Sequence, residues 1–290
     1  MVVNVYLRGG LGNQIFMILA GFAHSLKYNL DFKIISYSNT TVDTKATTYW
    51  NNILSYFGTF LDDNSKADQN AYSLYTEPCF DYSPIPEKLS NDTTMTLFGF
   101  FQSEKYFKEY YDTIAEKMQL TQQLSVIKQE HHKILKKKSI AVHFRIGDYK
   151  YLQGYHCIKK PEYYIHAIKE LERDLKGRGE NLSDYQILYF SQSQDGEIID
   201  EFLKIFSYIF DDKYNFIKVP DSIPDWKQLL IMANCDHFII ANSSYSWFGA
   251  YFSENPSKLV YYPAVWFGPV LFKKNNIKDL CPPSWKQINA

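Results

Sequence analysis

The sequence predicts an α/β protein built on parallel β-sheets. Short apolar runs with the composition of buried strands alternate with longer segments that carry apolar residues at helical spacing. This alternation is typical of sheets whose strands run in one direction, and such sheets bind ligands in the loops at the carboxyl ends of their strands. With 290 residues, 46% of them hydrophobic and 22% charged, the chain suffices for two globular domains or one large one.

The predicted elements follow one another from the N-terminus to residue 263. Strands are predicted at residues 2–7, 32–35, 95–101, from 139, 186–191, 237–242 and 259–263. Helices are predicted after a glycine-rich turn at residues 8–14, and then at 103–120, 161–177, 196–206, 227–235 and 243–253. The polar stretch 36–70 is typical of loops with small helical pieces.

A charged tract marks the expected domain boundary. HHKILKKK at residues 131–138 lies directly before a strand of buried composition. We therefore expect an N-terminal domain over residues 1–138 and a C-terminal domain over residues 139–290. A last helix that packs back on the first domain is an arrangement left open.

Charge balance excludes several classes of function. The 31 Lys and Arg residues are matched by 32 Asp and Glu residues, so the whole molecule has no basic field with which to hold nucleic acid or an anionic membrane surface. This balance leaves room for a local basic site.

The cysteines and the N-terminus favour a reducing compartment. The four cysteines are far apart and form neither a CxxC pair nor a zinc-finger spacing, which favours free thiols. The N-terminus lacks the residue order of a secretory signal, and no run of about 20 apolar residues predicts a membrane span. We expect a cytoplasmic protein without a transmembrane segment.

The first motif with chemical meaning is GGLGNQ at residues 9–14, between a predicted strand and a predicted helix. Glycines at this point let the backbone approach a ligand closely and direct amide N–H groups and the helix dipole at an anion. The spacing differs from the dinucleotide fingerprint GxGxxG. A plain tight turn is the structural alternative.

The second motif is HFRIGDY at residues 143–149, at the end of a strand. His143, Arg145 and Asp148 supply a base or hydrogen-bond donor, a guanidinium that fits phosphate, and an orienting carboxylate. Alternation along the strand places His143 and Arg145 on one face. The structural alternative is a plain Arg–Asp pair.

The third motif is IIANSSYSWFG at residues 239–249, where a hydrophobic strand opens into polar residues. These residue types cap helices, and the same hydroxyl and amide groups bind phosphate. Four polar residues in five positions exceed what a cap requires, which favours a ligand. The four are Asn242, Ser243, Ser244 and Ser246.

Together these motifs resemble the α-1,2-fucosyltransferases of glycosyltransferase family 11. GGLGNQ, GFFQSEKYF at residues 99–107, HFRIGDY and DHFIIANSSYSWFGAYF at residues 236–252 match the family in order and at similar spacing, so the resemblance covers nearly the whole chain. It implies two Rossmann-like domains facing a nucleotide-sugar cleft, the B-type glycosyltransferase architecture. The N-terminal domain would be on the acceptor side, and the C-terminal domain would bind the donor nucleotide.

The resemblance also implies a reaction. L-Fucose would pass from GDP-β-L-fucose to a glycan hydroxyl, expected to be the 2-hydroxyl of galactose, with inversion and without a metal or other cofactor. The partners would be this donor and an oligosaccharide acceptor, with no nucleic acid. The sequence agrees in lacking a D-x-D triplet, the usual carboxylate pair for a nucleotide-bound cation. Transfer from another nucleotide sugar and an inactive glycan- or nucleotide-binding homologue are the alternatives.

The resemblance assigns roles to particular residues. The catalytic group would comprise Arg145, which binds the diphosphate, and His143 and Asp148, the candidate bases for the acceptor hydroxyl. Less favoured candidate bases are His24, His156 and Glu104. The phosphate or nucleotide side would comprise Ser191, Asn242, Ser243, Ser244 and Ser246. The cleft wall near the diphosphate would comprise Gly10, Gly12, Asn13 and Gln14.

Two departures from the family pattern bear on the donor. The family commonly reads H-x-R-R-G-D, and this chain has Ile146 in place of the second arginine. Strand alternation predicts that Ile146 points into the core. The family's acidic F-S-D-D run is replaced by Phe190, Ser191, Gln192 and Ser193.

Overall fold

The computed structural model of the protein describes residues 1–35, 49–62, 73–89 and 94–289. The chain divides into two compact units. Unit 1 comprises Met1–Thr121 and Asn275–Pro282, and unit 2 comprises Gln122–Lys274 and Pro283–Ala290. Each unit is built on one parallel sheet, so the predicted α/β class with two Rossmann-like domains is confirmed.

Unit 1 has a five-stranded parallel sheet. Its strands are β1 (Val2–Tyr6), β2 (Asp31–Ile35), β3 (Leu61–Asp62), β4 (Ser73–Thr76) and β5 (Thr94–Phe98), and its helices are α1 (Leu11–Tyr28) and α2 (Tyr111–Lys117). The strand order is β3-β2-β1-β5-β4. Helix α1 lies closely on this sheet because Gly21 has no side chain: a Cβ there would collide with Val5 and come within 3.0 Å of Phe32.

Unit 2 has a six-stranded parallel sheet. Its strands are β6 (Ser139–His143), β7 (Gln186–Phe190), β8 (Phe216–Lys218), β9 (His237–Ile239), β10 (Val260–Pro263) and β11 (Lys286–Ile288). Its helices are α3 (Leu120–Glu130), α4 (Pro161–Gly177), α5 (Gly196–Phe210), α6 (Asp225–Ala233), α7 (Ser244–Tyr251) and α8 (Pro269–Phe272), and the first turn of α3 begins in unit 1. The strand order is β11-β10-β9-β6-β7-β8.

The core of unit 2 continues past the end of β6. All residues of β6 and β7 are buried, as expected for central strands of a parallel sheet covered on both faces. Beyond the strand, Phe144 and Ile146 belong to the same apolar cluster, and Ile146 is only 2% exposed. The expectation that Ile146 points into the core is therefore confirmed.

The single helix predicted over residues 103–120 is wrong. The segment forms two 3₁₀ turns and then α2, and the buried Phe107 between the two turns has a non-helical φ of −140°. The Ser103 hydroxyl accepts from the Lys105 N–H and donates to the Asp279 carbonyl at 2.5 Å. Ser103 therefore caps the first turn as predicted, the chain leaves helical geometry at Phe107, and Gln119 at φ +52° separates α2 from α3.

Four short strands were not predicted. They are β3, β4, β8 and β11, and each lies at an edge of its sheet. Edge strands are covered less completely than central ones, so they lack the continuous apolar runs from which the central strands were predicted. Of the predicted loop region 36–70, residues 36–48 and 63–70 lie outside the described residues, and Ser55–Phe60 form a 3₁₀ helix.

The units divide after Thr121, earlier than the boundary predicted between residues 138 and 139. Helix α3 belongs mostly to unit 2 because it is bonded to α6 and the turn after it. Asn234 Nδ2 donates to the Leu124 carbonyl at 3.1 Å, and Lys227 pairs with Glu130 at 2.5 Å.

The part of the C-terminal region that joins unit 1 is the segment 275–282, which is not helical. A last helix packing back on the first domain is therefore not what the structure shows. Among the described residues, no helix is both long and apolar enough to cross a membrane.

Candidate active site

Three of the predicted segments meet at one edge of the unit 2 sheet. Strands β9, β6 and β7 are neighbours, with His143 opposite Phe190 and Val142 opposite Ile239. Because the strands are parallel, the residues that follow them lie at the same edge. HFRIGDY, the Ser191 loop and the Asn242 turn are thus brought together, at the edge where open α/β sheets bind ligands.

Three buried polar atoms at this edge have no hydrogen-bond partner in the part of the chain that the structure describes. They are His143 Nδ1, Ser191 Oγ and Asn242 Oδ1. Buried polar atoms in native proteins are nearly always paired, and an unpaired one costs about 1–3 kcal/mol. Three such atoms after three adjacent strands leave hydrogen-bonding capacity at this edge that no described residue uses.

His143 is uncharged at neutral pH. Burial, and to a lesser degree the charge of Arg145, lowers the pKa of its imidazole to about 3. The ring packs against Tyr245, with 5.5 Å between ring centroids. A base of such low pKa takes up a proton poorly near pH 7, so the geometry suits His143 to a neutral hydrogen bond better than to proton abstraction.

Arg145 is held in place by its own motif. Its Nη2 donates to Asp148 Oδ1 at 2.5 Å, and its guanidinium carbon lies 4.7 Å from the ring centroid of Tyr149. Tyr149 is fixed in turn, because its hydroxyl donates to the Asn242 carbonyl at 3.1 Å and the His156 ring stacks on it. The predicted Arg–Asp pair therefore exists, and it orients a guanidinium beside the unpartnered polar atoms.

The loop that carries Arg145 is fastened by a residue that sequence analysis missed. Asp195, 1% exposed, accepts from the Gly147 N–H at 2.8 Å and pairs with Lys150 at 2.9 Å. Gly147 has φ +36°, and a Cβ there would collide with Gln192. The signal in the sequence was an acidic residue directly before α5, a few positions beyond the carboxyl end of β7.

The polar turn before α7 uses much of its hydrogen-bonding capacity internally. Asn242 Nδ2 donates to the carbonyls of Cys157 at 3.0 Å and Trp266 at 2.8 Å. Ser243 accepts from the Tyr245 N–H as the helix cap. The Ser246 hydroxyl donates to the Ser243 carbonyl at 3.4 Å, and the partly exposed Ser244 is the first residue of α7.

The four predicted residues of unit 1 lie at the turn between β1 and α1. Gly9, which precedes them, has φ +76° and needs to be glycine for the backbone alone. Gly10 has φ −73°, and nothing lies within 4 Å of a Cβ placed on it, so the fold of this unit does not require glycine there. It caps α1 without a side-chain hydrogen bond. A glycine without a structural cause is typical of close approach by a ligand.

The other three residues of this group are bound into the start of α1. Gly12 is buried, and Gln14 is fully buried with its Nε2 donating to the Gly9 carbonyl at 2.9 Å. Gln14 Oε1 has no hydrogen-bond partner within the described ranges. Asn13 Oδ1 accepts from Gln102 Nε2 at 2.8 Å.

Arg8 is a further candidate that sequence analysis missed. Its guanidinium carbon lies 4.3 Å and 4.2 Å from the ring centroids of Phe98 and Phe100. Burial lowers the pKa of Arg8, and the charge of Glu77 opposes that change. Glu77 also accepts from the N–H groups of Phe100 and Phe101. The signal was the arginine directly before two glycines.

The less favoured candidate bases lie elsewhere in their units. His24 is a buried residue of α1 whose pKa is lowered to about 4 by burial, and Glu104 begins a 3₁₀ turn of unit 1. His156 stacks on Tyr149 in unit 2. Within the described ranges, no three His, Cys, Asp or Glu side chains are grouped as metal ligands.

The sequence matches glycosyl transferase family 11 over residues 67–278. The chain belongs to this family. The resemblance in the motifs is thereby confirmed, and the protein is a glycosyltransferase that uses a nucleotide-sugar donor.

The chain is similar in sequence to two glycosyltransferases from Escherichia coli. An alpha-1,2-colitosyltransferase is 27% identical over 319 residues, covering 99% of both chains. The O-antigen biosynthesis glycosyltransferase WbnK is 26% identical over 242 residues, covering 80% of this chain and 70% of its own.

Two solved structures align with the chain at a TM-score of 0.49. One is the fucosyltransferase NodZ from Bradyrhizobium, which is 11% identical; the alignment covers 86% of this chain and 92% of the NodZ chain. The other is the E. coli ADP-heptose LPS heptosyltransferase II, which is 10% identical; the alignment covers 99% of this chain and 90% of the heptosyltransferase chain.

Proposed function

We propose that the protein transfers L-fucose from GDP-β-L-fucose to a glycan hydroxyl, the 2-hydroxyl of a galactose, with inversion at the sugar. The observation that carries the donor site is the set of unpartnered buried atoms of His143, Ser191 and Asn242 beside Arg145. The motifs that resemble α-1,2-fucosyltransferases support the choice of sugar and linkage.

Arg145 is the residue that we assign to the diphosphate. A guanidinium presents a fork of N–H donors that matches phosphate oxygens, and Asp148 and Tyr149 hold it in one orientation. The backbone N–H groups at the start of α7 add further donors and the positive end of a helix dipole. Of the turn's side chains, Asn242 retains an acceptor, Oδ1, for the nucleotide or sugar.

The largest chemical task in this reaction is to stabilise the departing diphosphate. Negative charge develops on its β-phosphate as the glycosidic bond breaks, and donors that are already oriented lower the barrier most. Arg145 meets this requirement because its position is fixed before the reaction. The acceptor oxygen attacks the opposite face of the sugar, which inverts the anomeric centre.

The acceptor hydroxyl loses its proton late in the displacement. Of the two candidate bases, His143 is made weakly basic by burial. We assign it a neutral hydrogen bond to the donor. Asp148, whose side chain is 58% exposed and accepts from Arg145, is the remaining candidate base in unit 2.

We also propose that no metal ion takes part, since Arg145 and the helix start supply the positive charge that a nucleotide-bound cation would otherwise provide. Activity measured after dialysis against EDTA is expected to equal that of the untreated enzyme. Recovery of a chelated, inactive sample by Mg²⁺ or Mn²⁺ would show that the proposal is wrong.

A second donor is favoured by one observation: a relative that covers 99% of both chains is an alpha-1,2-colitosyltransferase. Colitose is fucose without its 3-hydroxyl. A site that hydrogen-bonds this hydroxyl rejects the deoxy sugar strongly, whereas a site lined by apolar groups discriminates weakly. The preferred donor must therefore be identified by comparing the rates of transfer from the two nucleotide sugars, because binding of GDP alone does not distinguish them.

The deciding experiment is a competition between donors. The enzyme is incubated with equimolar GDP-fucose and GDP-colitose and a panel of galactosyl-terminated oligosaccharides, and the products are identified by mass and linkage. We expect fucosylated product with an α-1,2 linkage in excess. An excess of colitosylated product would show that GDP-colitose, and not GDP-fucose, is the preferred donor. The absence of any product, with GDP still raising the melting temperature, would indicate an inactive binding homologue.

A further inference from the structure

Unit 2 exposes a group of large apolar side chains outside the assigned site residues. They come from two segments, 151–155 and 265–272. The most exposed are Tyr151 at 88% and Phe272 at 58%. The whole group comprises Tyr151, Leu152, Tyr155, Val265, Val270 and Phe272. We call this group, together with Lys160, Lys273 and Lys274, the apolar-basic surface.

The two segments form one surface because their backbones are bonded together. The Gly268 N–H donates to the Tyr155 carbonyl at 2.7 Å, and the Val270 N–H donates to the Gly154 carbonyl at 2.9 Å. A Cβ on Gly268 would collide with the carbonyl of Gln153, so this close approach depends on glycine. Contiguous exposed apolar groups, unlike scattered ones, mark interaction surfaces.

The two segments of the apolar-basic surface lie in stretches of the chain that carry basic but no acidic residues. Residues 149–161 and 260–278 contain lysines and no Asp or Glu, although the chain as a whole is balanced. Lys160, Lys273 and Lys274 are exposed, and none of them forms an ion pair with another described residue. The local basic site that the overall charge left open is therefore present here.

We propose that the apolar-basic surface binds the interface of a membrane that contains anionic lipid. Aromatic and aliphatic side chains enter the boundary between headgroups and acyl chains, and nearby lysines are attracted to anionic headgroups. A protein partner fits less well, because the buried parts of protein interfaces are depleted in lysine. The inference goes beyond sugar transfer and does not depend on which donor is used.

Helix α5 offers a matched control surface. Tyr208 is 83% exposed there, beside the exposed Ile205 and Ile209. Acidic residues interrupt and follow this helix, including Asp211 and Asp212. An anionic membrane would repel this face, although its apolar side chains are as exposed as those of the apolar-basic surface.

Co-sedimentation of the full chain with vesicles tests the proposal. Vesicles of phosphatidylcholine with phosphatidylglycerol are compared with vesicles of phosphatidylcholine alone. We expect binding to the anionic vesicles that weakens as salt rises. The double variant Lys273→Glu with Lys274→Glu should bind at least about 30-fold more weakly. Phe272→Ser should also weaken binding, and the control Tyr208→Ser should not. All four residues are exposed, so each melting temperature should equal that of the parent.

Three results would overturn the proposal. The first is the absence of binding to phosphatidylglycerol vesicles, and the second is binding that Tyr208→Ser reduces as much as Phe272→Ser does. The third is a dimer in sedimentation velocity that Phe272→Ser dissociates, since the surface would then bind a second copy of the chain. Because neither measurement needs donor or acceptor, failure here leaves the proposed sugar transfer untouched.

Discussion

Two strand-to-helix turns, one in each unit, were predicted as ligand sites for opposite reasons. The turn before α1 is rich in glycine, so its backbone is open to a ligand. The turn before α7 has more polar side chains than a helix cap requires. In the structure the polar turn caps its own helix and bridges neighbouring loops through Ser243 and Asn242. At the glycine turn, Gly10 has no steric reason to be glycine. The polar residues Asn242 and Ser243 therefore have structural uses, whereas the fold of unit 1 gives no steric reason for glycine at position 10.

The comparison predicts different outcomes for substitution at the two turns. Changes in the turn before α7 should lower the free energy of unfolding, and changes at Gly10 should lower activity alone. Arg145 lies between these cases, because it is held by its neighbours and is also expected to contact the donor.

The largest effect is expected for Arg145→Lys. Lysine cannot present a fork to two phosphate oxygens, so kcat should fall by about 10² to 10³ while the melting temperature is kept. Steady-state kinetics with the preferred donor measure the loss, and Arg173→Lys, at an exposed ion pair, is the control. Activity within a few-fold of the parent would make Arg145 a structural residue like its neighbours in the turn.

Asn242→Ala should destabilise the protein by about 2–3 kcal/mol, because the buried carbonyls of Cys157 and Trp266 lose their donor. Denaturant unfolding measures the change. Ser243→Ala should cost only about 1 kcal/mol, the usual value of a helix cap. Asn242→Asp keeps an oxygen at Oδ1 but loses the amide donors. Unchanged stability in all three variants would contradict the structural role and return the whole turn to ligand binding.

Acid should weaken both units through buried histidines. His143 in unit 2 and His24 in unit 1 have folded-state pKa values lowered by burial to about 3 and about 4. The unfolded chain takes up these protons below about pH 6.5 and the folded chain does not, so stability present above that pH is lost as pH falls. Each histidine adds up to about 1.4 kcal/mol per pH unit to the slope.

The slope between pH 6 and pH 4, from unfolding at several pH values, tests this expectation. His143→Gln should lower the slope of the unfolding free energy against pH by the contribution of one histidine, whatever the substitution does to stability at pH 7. An unchanged slope in His143→Gln would mean that His143 takes up its proton at the same pH in the folded and the unfolded chain, and the imidazole would then be basic enough to accept a proton.

The smallest change in stability is expected for Gly10→Ser. The backbone conformation suits any residue and a Cβ meets nothing, so the free energy of unfolding should change by less than about 0.5 kcal/mol. If a ligand approaches this turn, kcat/KM should still fall about tenfold or more, a loss of about 1.4 kcal/mol of transition-state binding. Gly9→Ser, at φ +76°, is the contrasting variant and should lower stability. Full activity in Gly10→Ser would reduce the glycine motif to a plain turn.

The elements of the fold that the sequence predicted correctly are those in which consecutive residues are buried. Strands β6 and β7 are buried at every position, and apolar runs fill most of each strand, IAV in β6 and ILYF in β7. Alternation beyond β6 correctly assigned Ile146 to the core. The helix over 103–120 failed because the chain leaves helical geometry at the buried Phe107, a break that the local apolar periodicity does not show.

The candidate site divides in the same way. HFRIGDY and the Asn242 turn were found because each directly follows an apolar strand. Asp195 was missed because its partner Gly147 is 48 residues away in the sequence. The internal use of Asn242 was missed because its acceptors, Cys157 and Trp266, are 85 and 24 residues away in the sequence. The position of these motifs after apolar strands thus predicted where polar residues gather. It did not predict which of their atoms are already hydrogen-bonded within the protein and which are left to bind a ligand.

The return of residues 275–282 to unit 1 has a consequence for engineering hybrid enzymes. Exchanging unit 2 between relatives requires three junctions, after residues 121, 274 and 282, rather than one. A hybrid cut once would replace Asp279, which accepts from Ser103 and Tyr82 and belongs with the N-terminal half. Recombination that respects all three junctions keeps each half's hydrogen bonds within a single parental sequence.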